Sequence, residues 1–367
     1  MAVGFPTKAN WAAGDVLTAS AQDDLAGTVN LLSNASAASG SQLVSNVAGT
    51  SFVWQGSIAG GKNFVINGGM DIWQRGTTST ATGYQTADRW APQSATTTQS
   101  QDTSVVPVGA RYSLRLTTSA VSVQPYVLYA IETADAQRLA GQTVTLSMEC
   151  ASSASQVINM TLAYSTSSDP GIGSGTYVAI TASSGGTVST NATTTTRGSG
   201  VYVIPSTAKS LRILIQPAAV IAASGGWYNF GNVQLELGSV ATAFSRAGGT
   251  LQGELNACMR YYWRNSASAS YSPLTGVGVF DTTTDFRCTV PFPVTMRTNP
   301  AYSSSAASSM AASGTGLLAA SATGLKDSST PNNANIYFTV SGATAGQAAV
   351  LYSNNNSSAY LEFSAEL

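Results

Sequence analysis

The chain has 367 residues, long enough for two or three domains that each bury a core. Only 9% of it is charged, with a net charge of -1 and 16 Lys plus Arg, so no basic stripe can neutralise phosphates and sequence-independent nucleic-acid binding is excluded. It contains no histidine, which removes Ser-His-Asp and Cys-His triads, the usual zinc sites and the commonest general base.

Ser and Thr make up roughly a quarter of the sequence, well above ordinary usage. The 43% hydrophobic content, with 15 Tyr and 6 Trp, supplies enough apolar area to offset chain entropy. Met1 to Asn10 lacks an apolar h-region and no window approaches 18 consecutive apolar residues, so neither a signal peptide nor a membrane span is expected.

Taken in chain order, Thr18 or Ser20 is placed to cap a short helix on which Leu25, Val29 and Leu32 form one apolar stripe. Such a helix is marginal alone and needs a partner, either the rest of the domain or copies of itself on a threefold axis. Ala35 to Thr50 has the Ser, Ala, Asn and Gly content of an extended connector.

From Phe64 to Phe244 the period becomes two, with apolar runs Tyr112-Leu114-Leu116, Val144-Leu146-Met148, Leu211-Ile213-Ile215 and Val233-Leu235-Leu237. The stretches Ser165 to Gly175 and Ser183 to Gly200 read as turn-rich separators, and no helix-length pattern falls between the runs. Two antiparallel sheets packed face to face, a sandwich or jelly roll, are therefore expected.

After Gly248 and Gly249, Leu251, Leu255, Cys258 or Met259, and Tyr262 fit one face of a short helix beginning near Thr250. Alternation returns in Cys288-Val290, Ile336-Phe338-Val340 and Leu361-Phe363. The expected class is all-β, an antiparallel sandwich plus a C-terminal sandwich-like domain, with a short helical N-terminal segment. The boundaries read as 1-60, 61-248 and 249-367.

Two clusters, Asn63-Phe-Val-Ile-Asn-Gly-Gly-Met-Asp-Ile-Trp-Gln-Arg-Gly76 and Ala87-Asp-Arg-Trp90, resemble motifs of bacteriophage tail-fibre and minor virion proteins. Asn232-Val-Gln-Leu-Glu-Leu-Gly-Ser-Val-Ala-Thr-Ala-Phe244 is similar to the closing strand of phage relatives of carbohydrate-binding jelly rolls. Phe292 to Pro300 and Leu361 to Leu367 resemble the terminal domains of the same proteins, and Gly4 to Lys8 with Gly14 to Thr18 resembles their virion-attachment ends.

The resemblance implies a virion protein made in the host cytoplasm: a homotrimeric tail fibre or receptor-binding protein that attaches through residues 1-60 and adheres to host surface glycans. A purely structural head-fibre or decoration protein is the alternative, and a polysaccharide-degrading enzyme the third. Asp71, Asp88, Glu132, Glu149, Asp169 and Asp285 are carboxylates that a glycosidase could use, but there is no short internal repeat of the kind a β-helical depolymerase carries. No cofactor, nucleic acid or membrane insertion is expected.

Ligand-binding candidates are Trp227 and Tyr228 at a strand mouth, and the distal Tyr271, Tyr302, Tyr352 and Tyr360 with Asn354, Asn355 and Asn356, whose amides both donate and accept hydrogen bonds. Each has a plainer reading, a packed strand start for the first pair and a solvated loop for the rest. Asn67, Gly68, Asp71, Trp73, Arg75, Asp88, Arg89 and Trp90 read as a structural motif of core tryptophans and partly buried ion pairs. Asp102 and Asp169 are oxygen donors for calcium in principle, but no EF-hand-type spacing accompanies them and no metal is expected. Cys150, Cys258 and Cys288 are too few and too widely spaced for a disulfide framework and read as buried thiols.

Overall fold

The period-two runs form strands because β-branched and long aliphatic residues on alternate positions bury one face of a pleated ribbon. A computed structural model describes residues 42–45, 52–55, 62–192, 194–314 and 316–367. The N-terminal helix expectation lies outside them. Within the stretch read as a connector, Ala35 to Thr50, β1 (Gln42–Ser45) forms, and it pairs with β2 (Phe52–Gln55) just beyond that stretch as an antiparallel ladder.

In chain order the next strands are β3 (Thr78–Ser79), β4 (Ala91–Pro92), β5 (Thr97–Asp102), β6 (Ser113–Thr118) and β7 (Val127–Ile131). Helix α1 (Thr133–Leu139) follows, then β8 (Thr143–Ser152), β9 (Val157–Ser165), β10 (Val178–Ile180), β11 (Ser184–Gly185) and β12 (Thr187–Ser189). Strands β13 (Thr196–Val203), β14 (Ser210–Pro217) and β15 (Trp227–Leu237) complete this part.

These strands make two antiparallel sheets, ordered β11-β13-β8-β15-β6-β5-β3 and β10-β9-β14-β7-β4, with β12 also on β9. Leu114, Leu116, Val144, Leu146, Met148, Leu211, Ile213, Ile215, Val233 and Leu235 all sit in one core between them. This is the jelly-roll sandwich that the alternation predicts.

Two local expectations are corrected. Ser183 to Gly200 is not a separator: it holds β11, β12 and the start of β13, whose Thr196 to Gly200 pair with Cys150 to Leu146. Glycine permits the crowding there, since a Cβ on Gly198 would meet Val188 Cγ2 at 2.2 Å and one on Gly200 would meet Gly186 Cα at 2.7 Å. The seven-residue α1 was also not foreseen; it is too short to show a helical period, and it forms because Ala136 and Leu139 are buried against the sandwich core.

Helix α2 (Leu251–Met259) starts where expected, with Thr250 Oγ1 accepting from Gly253 N. Its buried face carries Glu254, Cys258 and Met259, whereas Leu251 is 54% exposed. Beyond it run β16 (Tyr262–Ser266), β17 (Pro273–Phe280), β18 (Asp285–Pro291), β19 (Ala301–Ser304), β20 (Met310–Ser313) and β21 (Leu317–Ala319). The last strands are β22 (Ala322–Leu325), β23 (Asn333–Thr339), β24 (Ala348–Ser353) and β25 (Tyr360–Ser364).

They form a sheet ordered β21-β20-β24-β17-β18-β23-β22 and a smaller one ordered β16-β25-β19, closed on a second core that includes Phe280, Phe286, Phe338, Leu351, Leu361 and Phe363. The two cores meet across a polar seam. Gln74 Nε2 donates to Tyr262 O at 2.8 Å, Arg260 pairs with Glu132 at 3.0 Å and Arg297 with Asp169 at 3.4 Å. Cys150, Cys258 and Cys288 are free and buried. No helix among the described residues is long and apolar enough to cross a membrane.

Candidate functional site

A cleft lined by charged and amide side chains lies on the outer face of the larger sandwich sheet. Arg197 on β13 and Glu149 on β8 are direct register partners, and Glu149 is in turn opposite Gly231 on β15. Strand β15 bulges between Gly231 and Gln234, where Asn232 takes a left-handed φ of 49°. Asparagine tolerates that conformation, and it aims the amide at Glu149, Nδ2 to Oε1 at 3.0 Å.

Two further segments wall the cleft. The loop Val108-Gly109-Ala110 is held from below, with Val108 N donating to Glu149 Oε2 at 3.3 Å. The strap after β15 folds back over the sheet because Thr242 bonds the buried Glu236, N to Oε1 at 2.8 Å, and Ser245 N bonds Gln234 Oε1 at 2.8 Å. That return places Ala243, Phe244 and Arg246 at the rim. A Cβ on Gly69 would lie 3.2 Å from the Phe244 ring, so the motif glycine is what lets the ring close down.

The enclosed space is about 460 Å³, within the range of small-ligand sites. Its polar groups are planar and pinned. Asp71 takes two bonds from Arg246, Nε to Oδ2 at 2.7 Å and Nη2 to Oδ1 at 3.2 Å, and this hydrogen bond raises the guanidinium pKa further. Arg197 Nη2 donates to Ser147 Oγ at 3.1 Å and to Thr242 O at 2.5 Å. The formal charges of Asp71, Glu149, Arg197 and Arg246 cancel, leaving hydrogen-bonding groups beside one aromatic face.

The residues singled out from sequence are dispersed. Tyr228 is corrected from ligand candidate to core: it is fully buried, and its hydroxyl donates to Pro125 O at 3.2 Å and Ile215 O at 3.3 Å. Trp227 is half-buried, with the Arg115 guanidinium 4.1 Å from the ring centroid, so one stacking face is taken. Tyr302 packs on Phe363 and bonds Thr323 Oγ1 at 2.8 Å. Tyr271 is 52% exposed at a turn with φ 60°, while Tyr352 is half-buried on β24.

Asn354 Nδ2 donates to Ser308 O at 3.2 Å, Asn355 is exposed at φ 51°, and Asn356 Oδ1 accepts from Ser358 N at 2.8 Å. None of these lines the cleft above, and Tyr360 lines a different one at the seam. Sequence reading missed Arg197, Asn232, Phe244 and Arg246 as a group. They come from separated segments, and their shared signal, planar polar side chains around one ring, exists only once β13, β8 and β15 are paired.

The motif residues sit behind and beside the cleft. Asn67, with φ 58°, bonds Ile72 and Asp88 through its side chain, and a Cβ on Gly68 would meet Val233 O at 2.0 Å. Trp90 is fully buried against Tyr129 and Phe230, at 4.8 and 5.2 Å between centroids. Trp73 is half-buried, its Nε1 on Met70 O at 2.6 Å. Arg75 and Arg89 both pair with Glu366 at the seam, and Arg75 also reaches Asp88 at 3.5 Å.

Asp102 is committed to Ser104, Asn229 and Arg115. Burial opposes its charge, yet these partners hold its pKa below the usual carboxylate value. Asp169 accepts from Thr133 N and pairs with Arg297. Among the described residues no three His, Cys, Asp or Glu are grouped to hold a metal ion.

No protein-family model and no curated protein matches the chain. Among solved structures it is similar to the family 22 xylan-binding domain from Paenibacillus barcinonensis, at 13% identity and TM-score 0.32, covering 50% of this chain and 100% of that one. It is similar to the C-terminal family 22 carbohydrate-binding module of Clostridium thermocellum Xyn10B, at 17% identity and TM-score 0.29, covering 44% and 98%. It is also similar to the enzymatically active domain of bacteriophage CBA120 tailspike protein 4, at 14% identity and TM-score 0.32, covering 48% of this chain and 21% of that one.

Proposed function

We propose that the chain is a non-catalytic glycan-binding protein of a phage particle, a tail fibre or receptor-binding protein that works as a homotrimer. Residues 61-248 form its jelly-roll domain, 249-367 its linking helix and distal β-domain, and 1-60 its virion attachment. The observation that carries glycan binding is the cleft of Asp71, Glu149, Arg197, Asn232 and Arg246 beside Phe244. Planar groups fixed before a ligand arrives suit an array of hydroxyls, because little ordering entropy remains to be lost on binding.

The phage assignment is supported by the motifs Asn63 to Gly76 and Ala87 to Trp90. The non-catalytic assignment is supported by how the two carboxylates are used: Asp71 takes two bonds from Arg246 and Glu149 holds Asn232 and Val108. A glycosidase pair instead needs one proton donor and one free base across a sugar bond. In a trimer, three shallow sites on one particle give avidity through effective concentration.

The test is binding of the full chain to intact host cells before and after periodate oxidation of surface sugars, with mass by light scattering. Saturable binding by a trimer that is lost on oxidation is expected. A trimer that ignores the cells but docks on capsids overturns the receptor-binding reading in favour of a decoration protein, and new reducing ends from host polysaccharide overturn the non-catalytic one.

A further inference from the structure

We propose that the cleft at the seam between the two cores is a second glycan subsite, one that takes a sugar residue bearing a carboxylate, with Arg264 as its anchor. This rests on the glycan-binding reading above and adds a ligand class to it. The cleft encloses about 450 Å³. One wall is β16 and β25, where Tyr262 opposes Ser364, Arg264 opposes Glu362 and Ser266 opposes Tyr360. The other wall is Arg75 and the loop Thr82-Gly83-Tyr84-Gln85 from the sandwich side.

The arginines of the seam are otherwise matched with acids. Arg75 and Arg89 share Glu366, Arg260 has Glu132, and Arg297 has Asp169. Arg264 has no ion-pair partner among the described residues, although Glu362 is its direct cross-strand neighbour. The Glu362 carboxylate is turned to the Tyr262 hydroxyl, which donates to Oε2 at 2.5 Å.

Arg264 is nevertheless fixed. Its Nη1 donates to Arg75 O at 2.7 Å and its guanidinium lies 3.5 Å from the centre of the Tyr360 ring. Stacking and a backbone bond hold the fork in one plane, while Nη2 makes no hydrogen bond among the described residues. A carboxylate can then take Nη2 and the second Nη1 proton in two parallel bonds. Glu362 and Gln85 are left to meet sugar hydroxyls.

The two clefts therefore differ in what they select. The sheet-face cleft balances two carboxylates against two guanidiniums, and it suits an uncharged sugar. At the seam, the charge of Arg75 is met from behind by Asp88 and Glu366 and the Glu362 carboxylate is engaged by the Tyr262 hydroxyl, so Arg264 is the guanidinium of this cleft that has no direct ion pair among the described residues and can take a ligand carboxylate.

The test titrates the full chain with a panel of uronic-acid oligosaccharides, each paired with its carboxyl-reduced, neutral form. The acidic member is expected to bind about tenfold tighter or more, the scale of one charge-assisted contact. Arg264→Ala should abolish that difference between acidic and neutral members. Acidic and neutral members of equal affinity in the wild-type chain overturn the inference while the glycan reading stands, and this comparison needs no variant should Arg264→Ala fail to fold. No binding of any oligosaccharide overturns the glycan reading and the subsite with it. Inorganic phosphate displacing the uronates as well as free galacturonate does shows a bare anion fork, which overturns the sugar assignment.

Discussion

Arg89 and Glu366 lie 277 positions apart in the chain, yet the Arg89 guanidinium donates directly to the Glu366 carboxylate inside the seam. Their side chains are 1% and 6% exposed. Arg75 pairs with the other Glu366 oxygen at 3.0 Å, and the rings of Tyr261 and Tyr262 lie 3.5 Å under Arg89 and Arg75 respectively. Burial disfavours charge on Arg89, but Glu366 and the surrounding tyrosines hold its pKa well above normal. One carboxylate, two residues beyond the last strand, thus bridges a cation from each of the two motifs, Arg75 and Arg89, and Asp88 supplies the second negative charge.

Glu366→Ala would strand the Arg89 guanidinium and leave Arg75 with Asp88 alone. Removing one partner of a buried pair costs about 3–5 kcal/mol, so urea unfolding should show a loss on that scale, with the seam opening before either core. A loss below about 1 kcal/mol, the scale of an exposed pair, would show that water already reaches the seam.

Asp88 gives the seam a pH dependence. Burial lifts its pKa to about 6, against the pull of Arg75 and the Gln74 bonds, with Glu366 adding to the rise. A raised folded-state pKa means that the native chain binds the proton more tightly than the unfolded one. This contribution to stability is complete below the usual value near 3.8 and is lost as pH rises through about 6. Denaturant stability measured from pH 4 to 7 should show this fall in the wild type and lose it in Asp88→Asn; parallel profiles for the two proteins would contradict the assignment.

The strands were legible in the sequence because a half-buried sheet face repeats every second residue. Leu146 and Met148 announce their side without reference to a partner. What was not legible depended on partners far away. Leu251 was expected on the inward face by hydropathy, yet it is exposed, and the buried face carries Glu254 because two backbone N–H groups, of Asn67 and Gly248, need its oxygens. The cleft shows the same limit: Arg197 and Asn232 are unremarkable where they stand, and only the bulge in β15 joins them through Glu149.

Glu254 itself carries a prediction. Burial raises its pKa, while the bonds from Gly248 N and Asn67 N pull it back. Glu254→Ala leaves both donors without an acceptor, at about 1–3 kcal/mol for each unsatisfied group. Calorimetry should report a clear drop in melting temperature, and Glu254→Gln should recover part of it, since the amide oxygen still accepts one bond. Equal loss in both variants would mean that the carboxylate's charge, not its acceptor geometry, holds the motif to α2.

Val108 offers a way to close the sheet-face cleft without disturbing its machinery. Its backbone is engaged, N on Glu149 and O accepting from Asn232 at 3.4 Å, but the residue is 87% exposed at the rim. In Val108→Trp the backbone bonds persist and the indole occupies the mouth. Stability should change by no more than about 0.5 kcal/mol, as for other surface substitutions. Affinity for neutral glycan should fall at least about tenfold, the effect of losing roughly 1.4 kcal/mol of contact. Val121→Trp is the matched control, since Val121 is 66% exposed and does not line the cleft. Equal glycan affinity in both variants would move the neutral-sugar site away from Phe244 and Arg197, whereas loss confined to Val108→Trp ties binding to the face where β13, β8 and β15 meet.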